Sequence, residues 1–113
     1  MTEKLTSLGY HLFSNDKLSR MAFRGNCRVW STAAFLEAEK FLKNNREISL
    51  EIREKDVSLY TSHTFLRAVD GDVAYIYDGT GYSNAVGSWW GKEKNSWYSG
   101  SSLDMLNEIM RSR

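Results

Sequence analysis

The chain has 113 residues, 15 of them Lys or Arg and 14 Asp or Glu, for a formal net charge of +1, with 42% hydrophobic and 26% charged residues. That is the composition of one ordinary globular domain over residues 1–113, large enough to bury a single core and too small for two, and it excludes disorder and collagen-like repeats. The longest apolar runs are a few residues, far short of the roughly 20 needed to cross a bilayer, and Met1-Thr2-Glu3-Lys4 opens no signal-peptide core, so the expectation is a soluble, cytoplasmic protein with no membrane partner.

Two further counts narrow the chemistry. Cys27 is the only cysteine, which excludes an intramolecular disulfide and a zinc site built on several thiolates. Proline is absent, so turns fall to Gly, Asn, Asp and Ser.

In chain order, the first thirty residues are the hardest to read, because Leu5, Leu8, Leu12, Phe13, Leu18, Met21 and Phe23, taken together, follow no single period. A short helix or turn is expected around Asn15 to Arg20, then a Gly25-Asn26 turn, then a strand near Cys27 to Trp30. From Ser31 to Asn44 the apolar residues Ala34, Phe35, Ala38, Phe41 and Leu42 mark one helical face. Ser31 or Thr32 is the expected N-cap, Asn44-Asn45 the expected stop, and Glu37–Lys40 and Glu39–Lys43 the expected surface pairs.

Ile48, Leu50 and Ile52 alternate with polar residues, the signature of a half-buried strand. A turn at Glu54-Lys55-Asp56 and a second strand over Val57, Leu59 and Thr61 complete a predicted hairpin. The next hairpin joins Thr64–Val69 to Asp72–Tyr77 through Asp70-Gly71, a type I′ signal that sets Phe65 opposite Ile76 and Leu66 opposite Tyr75. Both of its faces carry apolar residues, so it is predicted to lie centrally, covered on each side. After Tyr77 the chain turns rich in Gly, Ser and large rings. Ser88-Trp89-Trp90 can pair with Ser96-Trp97-Tyr98. Ser101 with Asp104 then fits a capping box for a C-terminal helix over about 102–111. The expected fold class is α+β: an antiparallel sheet of four to six strands packed against one long helix at about 31–44, with a short helix at the C-terminus.

Candidate chemistry is sparse. His63 stands at a strand junction, where a general base can be presented, and a metal-independent nuclease or hydrolase would recruit His11, Glu51 or Arg67 beside it. Asp70, Asp72 and Asp78 are too spread along the hairpin to share one ion, and turn roles account for them, with Asp78 making an Asx-type turn before Gly79. No metal and no cofactor is expected; Gly79-Thr80-Gly81 completes no phosphate-binding motif. Cys27, beside Val29 and Trp30, reads as a small core residue.

The most unusual composition lies over 78–98, where Tyr82, Trp89, Trp90, Lys92, Lys94, Trp97 and Tyr98 combine rings, cations and flexible glycine. Adjacent Trp89 and Trp90 point to opposite faces of a strand, which leaves one ring near solvent as an interface anchor. The first functional expectation is therefore a small non-enzymatic binding protein with a protein partner, of the inhibitor, immunity or phage and mobile-element accessory type. The alternatives are a nuclease or hydrolase using His63, and a single-strand nucleic-acid binder stacking bases on Trp89, Trp90 and Trp97. Near-neutral charge weakens the last. An exposed sheet edge or the same Trp segment also allows a homodimer.

Overall fold

The computed structural model describes residues 3–23, 26–43, 45–56, 62–80 and 89–93. They form an α+β arrangement of three helices, α1 (Glu3–Phe13), α2 (Asp16–Phe23) and α3 (Cys27–Leu42), and four strands, β1 (Ile48–Asp56), β2 (Ser62–Asp70), β3 (Val73–Asp78) and β4 (Trp89–Lys92). The strands make an antiparallel sheet in the order β1-β2-β3-β4, so the hairpin predicted to be central is central.

Where one long helix was expected to cover the sheet, three helices form that layer, α1 and α3 against the strands and α2 against α1 and α3. Leu5, Leu8 and Leu12 recur along one side of α1, and all three are fully buried. Asn15 starts α2 by accepting from the Leu18 amide at 3.0 Å. The helix expected near Asn15–Arg20 is thus real and runs on to Phe23, whereas the strand expected near Cys27–Trp30 is the first turn of α3. Asn26, not Ser31 or Thr32, caps that helix, its side chain accepting from Val29 N at 3.1 Å. Lys43, in the left-handed region at φ 48, ends it. The residues that α3 buries are Trp30, Ser31, Ala34 and Ala38, while Phe41 stays 37% exposed.

The first predicted hairpin is replaced by a longer one. Glu54-Lys55-Asp56 is strand, not turn, and β1 pairs with β2 along its whole length, from Ile48↔Asp70 to Asp56↔Ser62. Strand pairing overrides a locally polar sequence here because an edge strand tolerates outward charges. The second hairpin closes one residue later than predicted: Asp70 faces Val73 and Leu66 faces Tyr77. Gly71 has φ +61, and the turn residue after it does not have positive φ, which is the type II′ pattern and not I′. The resulting slip is an even number of residues, so every side chain keeps its predicted face.

All three helices lie on one face. Their leucines, Trp30 and the α3 alanines meet Ile48, Leu66, Ala68 and Tyr77 in one core cluster, with Trp90 packed against it. Close approach is built in: a Cβ on Gly9 would collide with the Trp90 indole, and one on Gly79 with the Trp30 indole. Tyr77 brings a hydroxyl into this cluster, and it donates to the Leu5 carbonyl at 2.6 Å. Burial, with a smaller contribution from the neighbouring Tyr75, pushes that phenol far above its ordinary value of 10.0.

The opposite face bears His63, Phe65, Ile76 and Asp78, all buried, and no described helix covers it. The C-terminal helix expected at about 102–111, the strand expected over Val57–Thr61 and the partner strand expected at Ser96–Tyr98 lie outside the described residues.

Candidate functional site

At the start of β2 the β2–β3 ladder has ended at Leu66↔Tyr77, and the chain there meets the N-terminus of α3. Two contacts meet at this stretch of β2, one from the helix layer and one on the opposite face of the sheet. Thr64, next after His63, donates its amide proton to Cys27 Sγ at 3.4 Å. His63 Nε2 and Asp78 Oδ2 are 2.6 Å apart, with side-chain exposures of 7% and 2%. A carboxylate only accepts, so Nε2 is the donor in this bond. Phe65 lies against the imidazole with ring centroids 6.3 Å apart.

Cys27 is the first helical residue of α3 and is half-buried. The amides of the first two residues of any α-helix have no acceptor within it, so the N–H groups of Cys27 and Arg28 sit beside the sulfur at the positive end of a 16-residue helix. Two buried hydroxyls flank the junction, Ser31 one turn along α3 and Thr64 next to His63, neither with a hydrogen-bond partner among the described residues.

Asp78, expected to make an Asx-type turn before Gly79, turns Oδ2 to His63. It is the last residue of β3, 1% exposed, with its carboxylate on His63. The partnership was only half visible in the sequence: both registers put His63 and Asp78 on one face, but the observed one, continued past Leu66↔Tyr77, sets Asp78 opposite Phe65, so the pair meets on the diagonal. Cys27 carried no comparable signal while it was read as strand. The residues proposed to assist His63 are elsewhere. His11 bonds Glu37 at 3.2 Å and stacks on Phe41, about ten residues or 15 Å along α3 from Cys27. Arg67 lies between Glu51 (3.1 and 3.2 Å) and Glu93 (2.7 Å), farther down β2. Asp70 and Asp78 stand at opposite ends of the β2–β3 hairpin, and no metal-ligating cluster of three His, Cys, Asp or Glu side chains occurs among the described residues.

Of the expected contact segment, Trp90 stacks on Tyr77 at a centroid distance of 6.2 Å and meets Tyr10 edge-on at 5.2 Å, leaving it half-buried on the helix face. Lys92 is exposed and lies opposite Tyr75. The backbone of Trp89 pairs with Asp78, its side chain lying outside the described residues. Tyr82, Lys94, Trp97 and Tyr98 also lie outside them. No described helix is long and apolar enough to cross a membrane. The chain matches no protein-family model, no curated protein and no solved structure.

Proposed function

We propose that the protein is a thiol-dependent acyl-transfer enzyme, hydrolysing or transferring an amide or thioester acyl group, with Cys27 as nucleophile, His63 as base and Asp78 as the residue that orients it. What supports this reading is a buried His63–Asp78 bond and, on the next residue, an amide that holds Cys27 Sγ; because alternation along β2 sends His63 to the face away from α3, the reading requires the imidazole to reach the thiol around the start of that strand. Triads of nucleophile, base and orienting carboxylate recur on unrelated folds, whatever their spacing in sequence.

The roles follow from the donors and acceptors. His63 Nδ1 takes the Cys27 proton, and Sγ attacks the acyl carbon. The developing oxyanion is met by the N–H groups at the head of α3, where a negative charge is favoured. The bond from carbon to the leaving group breaks, and the leaving group takes the proton back from His63. Water, or an acceptor amine, then attacks the thioester with His63 as base again, and the thiol is restored. Asp78 keeps Nε2 protonated and the ring in one orientation throughout, and stabilises the imidazolium.

The test is site-specific alkylation. Iodoacetamide should label Cys27 at least about tenfold faster in the intact protein than in His63→Ala or Asp78→Asn, with a folded circular-dichroism spectrum retained in Asp78→Asn. An unchanged rate in both variants would leave the His63–Asp78 bond as a structural pair and remove the enzyme reading.

A second reading is the non-enzymatic binding protein, with contact through the 78–98 segment. Tyr10, 68% exposed, standing edge-on to the half-buried Trp90 favours it, because paired rings at the surface are common interface anchors. A Trp90→Ala variant that keeps every interaction of the intact protein in a pull-down would remove it.

A further inference from the structure

We infer that the outer edge of β1 pairs antiparallel with the same strand of a second copy of this chain, about a two-fold axis through Leu50. β1 is an outer strand of the sheet, and among the described residues no strand continues beyond it. The direction of its backbone groups follows from the neighbouring hairpin. Asp70 and Val73 flank a two-residue turn as a hydrogen-bonded pair, so Asp70, Ala68 and Leu66 direct their N–H and C=O groups to β3, and Val69, Arg67 and Phe65 direct theirs to β1. The β1 partners of these last three, Ser49, Glu51 and Arg53, are thereby used, and Ile48, Leu50 and Ile52 present theirs at the outer edge. The Ile48 amide bears this out by donating to the Asn45 carbonyl of the preceding turn at 3.4 Å. Such an edge is a template for another strand.

The residues along the edge select a second copy as that strand. A two-fold axis at Leu50 sets Leu50 opposite itself, Ile48 opposite Ile52, Ser49 opposite Glu51, Glu47 opposite Arg53 and Arg46 opposite Glu54. Every charge from 46 to 54 then faces an opposite charge or a serine. Axes at Glu51 or Arg53 would set like charges face to face, and one at Ile52 would set Leu50 against Glu54. Glu47 and Arg46 lie in the turn just before β1 and are exposed. Glu51 keeps Arg67, while the Arg53–Glu51 and Arg28–Glu54 pairs are surface contacts that are shared or exchanged at little cost. Shape agrees with charge. Phe35, Glu39, Leu42, Asn45, Ile48 and Leu50 line an open groove of about 250 Å³ along the helix side of β1. Ile52 is 44% exposed on that same side, and because it comes to lie opposite Ile48, each copy's Ile52 is seated beside the other's groove. Glu39, the charged residue of the groove, is exposed and stays in water at its rim. With the Ile48 amide already engaged, the bonds between copies are the reciprocal Leu50 pair and Ile52 N–H to the Ile48 carbonyl. So short a seam gives a weak dimer, with a dissociation constant of about 10–100 µM.

Sedimentation equilibrium of the full chain from about 1 µM to 1 mM tests the pairing. The intact protein should pass from monomer to dimer, and Ile52→Asp should raise the dissociation constant about tenfold or more. Glu47→Arg and Arg53→Glu should each raise it about fivefold, and the double variant Glu47→Arg, Arg53→Glu should restore it, because the facing charges are again opposite. All three positions are exposed, and an unchanged melting temperature at about 1 µM, where the chain is monomeric, shows that each variant is folded. As concentration rises, amide exchange should slow at Leu50 and Ile52 and stay constant at Ser49, Glu51 and Arg53, which already bond to β2. A double variant no better than its single parents overturns the inference. So does a chain that stays monomeric throughout; slow exchange at Leu50 and Ile52 in that monomer would mean that the edge is already covered. A dimer that survives Ile52→Asp and is dissociated by Tyr10→Asp overturns it in favour of a contact through the exposed rings of α1 and β4. None of these readouts involves Cys27, so failure of the acyl-transfer reading leaves the pairing to be decided on its own.

Discussion

Two histidine–carboxylate pairs occur among the described residues, and they differ in nearly everything except composition. His11 and Glu37 meet at 3.2 Å across the outer surfaces of α1 and α3, with 34% and 28% of their side chains exposed. His63 and Asp78 meet at 2.6 Å in the sheet, at 7% and 2%. Water screens the first and competes for its hydrogen bonds, whereas the second has exchanged its water for protein, so removing one partner strands the other. The residue next after His63 in turn offers its backbone amide to Cys27 at the head of α3.

The comparison breaks most visibly at Asp78. Asp78→Ala should cost about 3 kcal/mol in urea unfolding, since it leaves a buried imidazole without its acceptor, and should slow Cys27 alkylation as well. A loss under about 1 kcal/mol would mean that burial has not made the sealed pair different from the open one.

The next largest effect sharpens the comparison with a third polar contact, on the helix face. Tyr77→Phe leaves the Leu5 carbonyl unmatched and should cost about 1–3 kcal/mol at neutral pH. Because burial raises the Tyr77 pKa, the folded chain holds that proton above pH 10.0 while the unfolded chain releases it. Its contribution is therefore complete below the unfolded value and falls by about 1.4 kcal/mol per pH unit above it. Stability curves of the intact protein and Tyr77→Phe should converge between pH 10 and 11; parallel curves would refute the account. The smallest effect belongs to the open pair. Glu37→Gln should change the unfolding free energy by less than about 0.5 kcal/mol, and a cost matching that of Asp78→Ala would erase the distinction between the two pairs.

The strands were legible because alternation survives in residues such as Ile48, Leu50 and Ile52, which the sheet needs on one side. The hairpin face assignment held although the turn moved, since a slip of even length preserves the alternation. The N-terminal helices were obscured by pooling. Leu5, Leu8 and Leu12 have a helical period of their own, and Leu18 and Met21 belong to a second helix with a different phase, divided from the first at Ser14-Asn15. Val29-Trp30 looked like strand by side-chain type, and only the cap made by Asn26 decides otherwise. That one misreading hid the candidate site, because a cysteine in a strand has no special neighbour, whereas the first residue of a helix has unpaired amides beside it. The pairing of His63 with Asp78 depends on contacts fifteen residues apart, which sequence shows only through the hairpin register.

Arg67 has a consequence for how the sheet opens. Its guanidinium reaches Glu51 on one outer strand of the described sheet and Glu93 just past the other, so these two strands are tied across the two between them. Neither margin can peel away without stranding a charge that the other also holds. Amide exchange at the β1 and β4 backbones should therefore proceed as one cooperative fraying event, and Arg67→Met should split it into two.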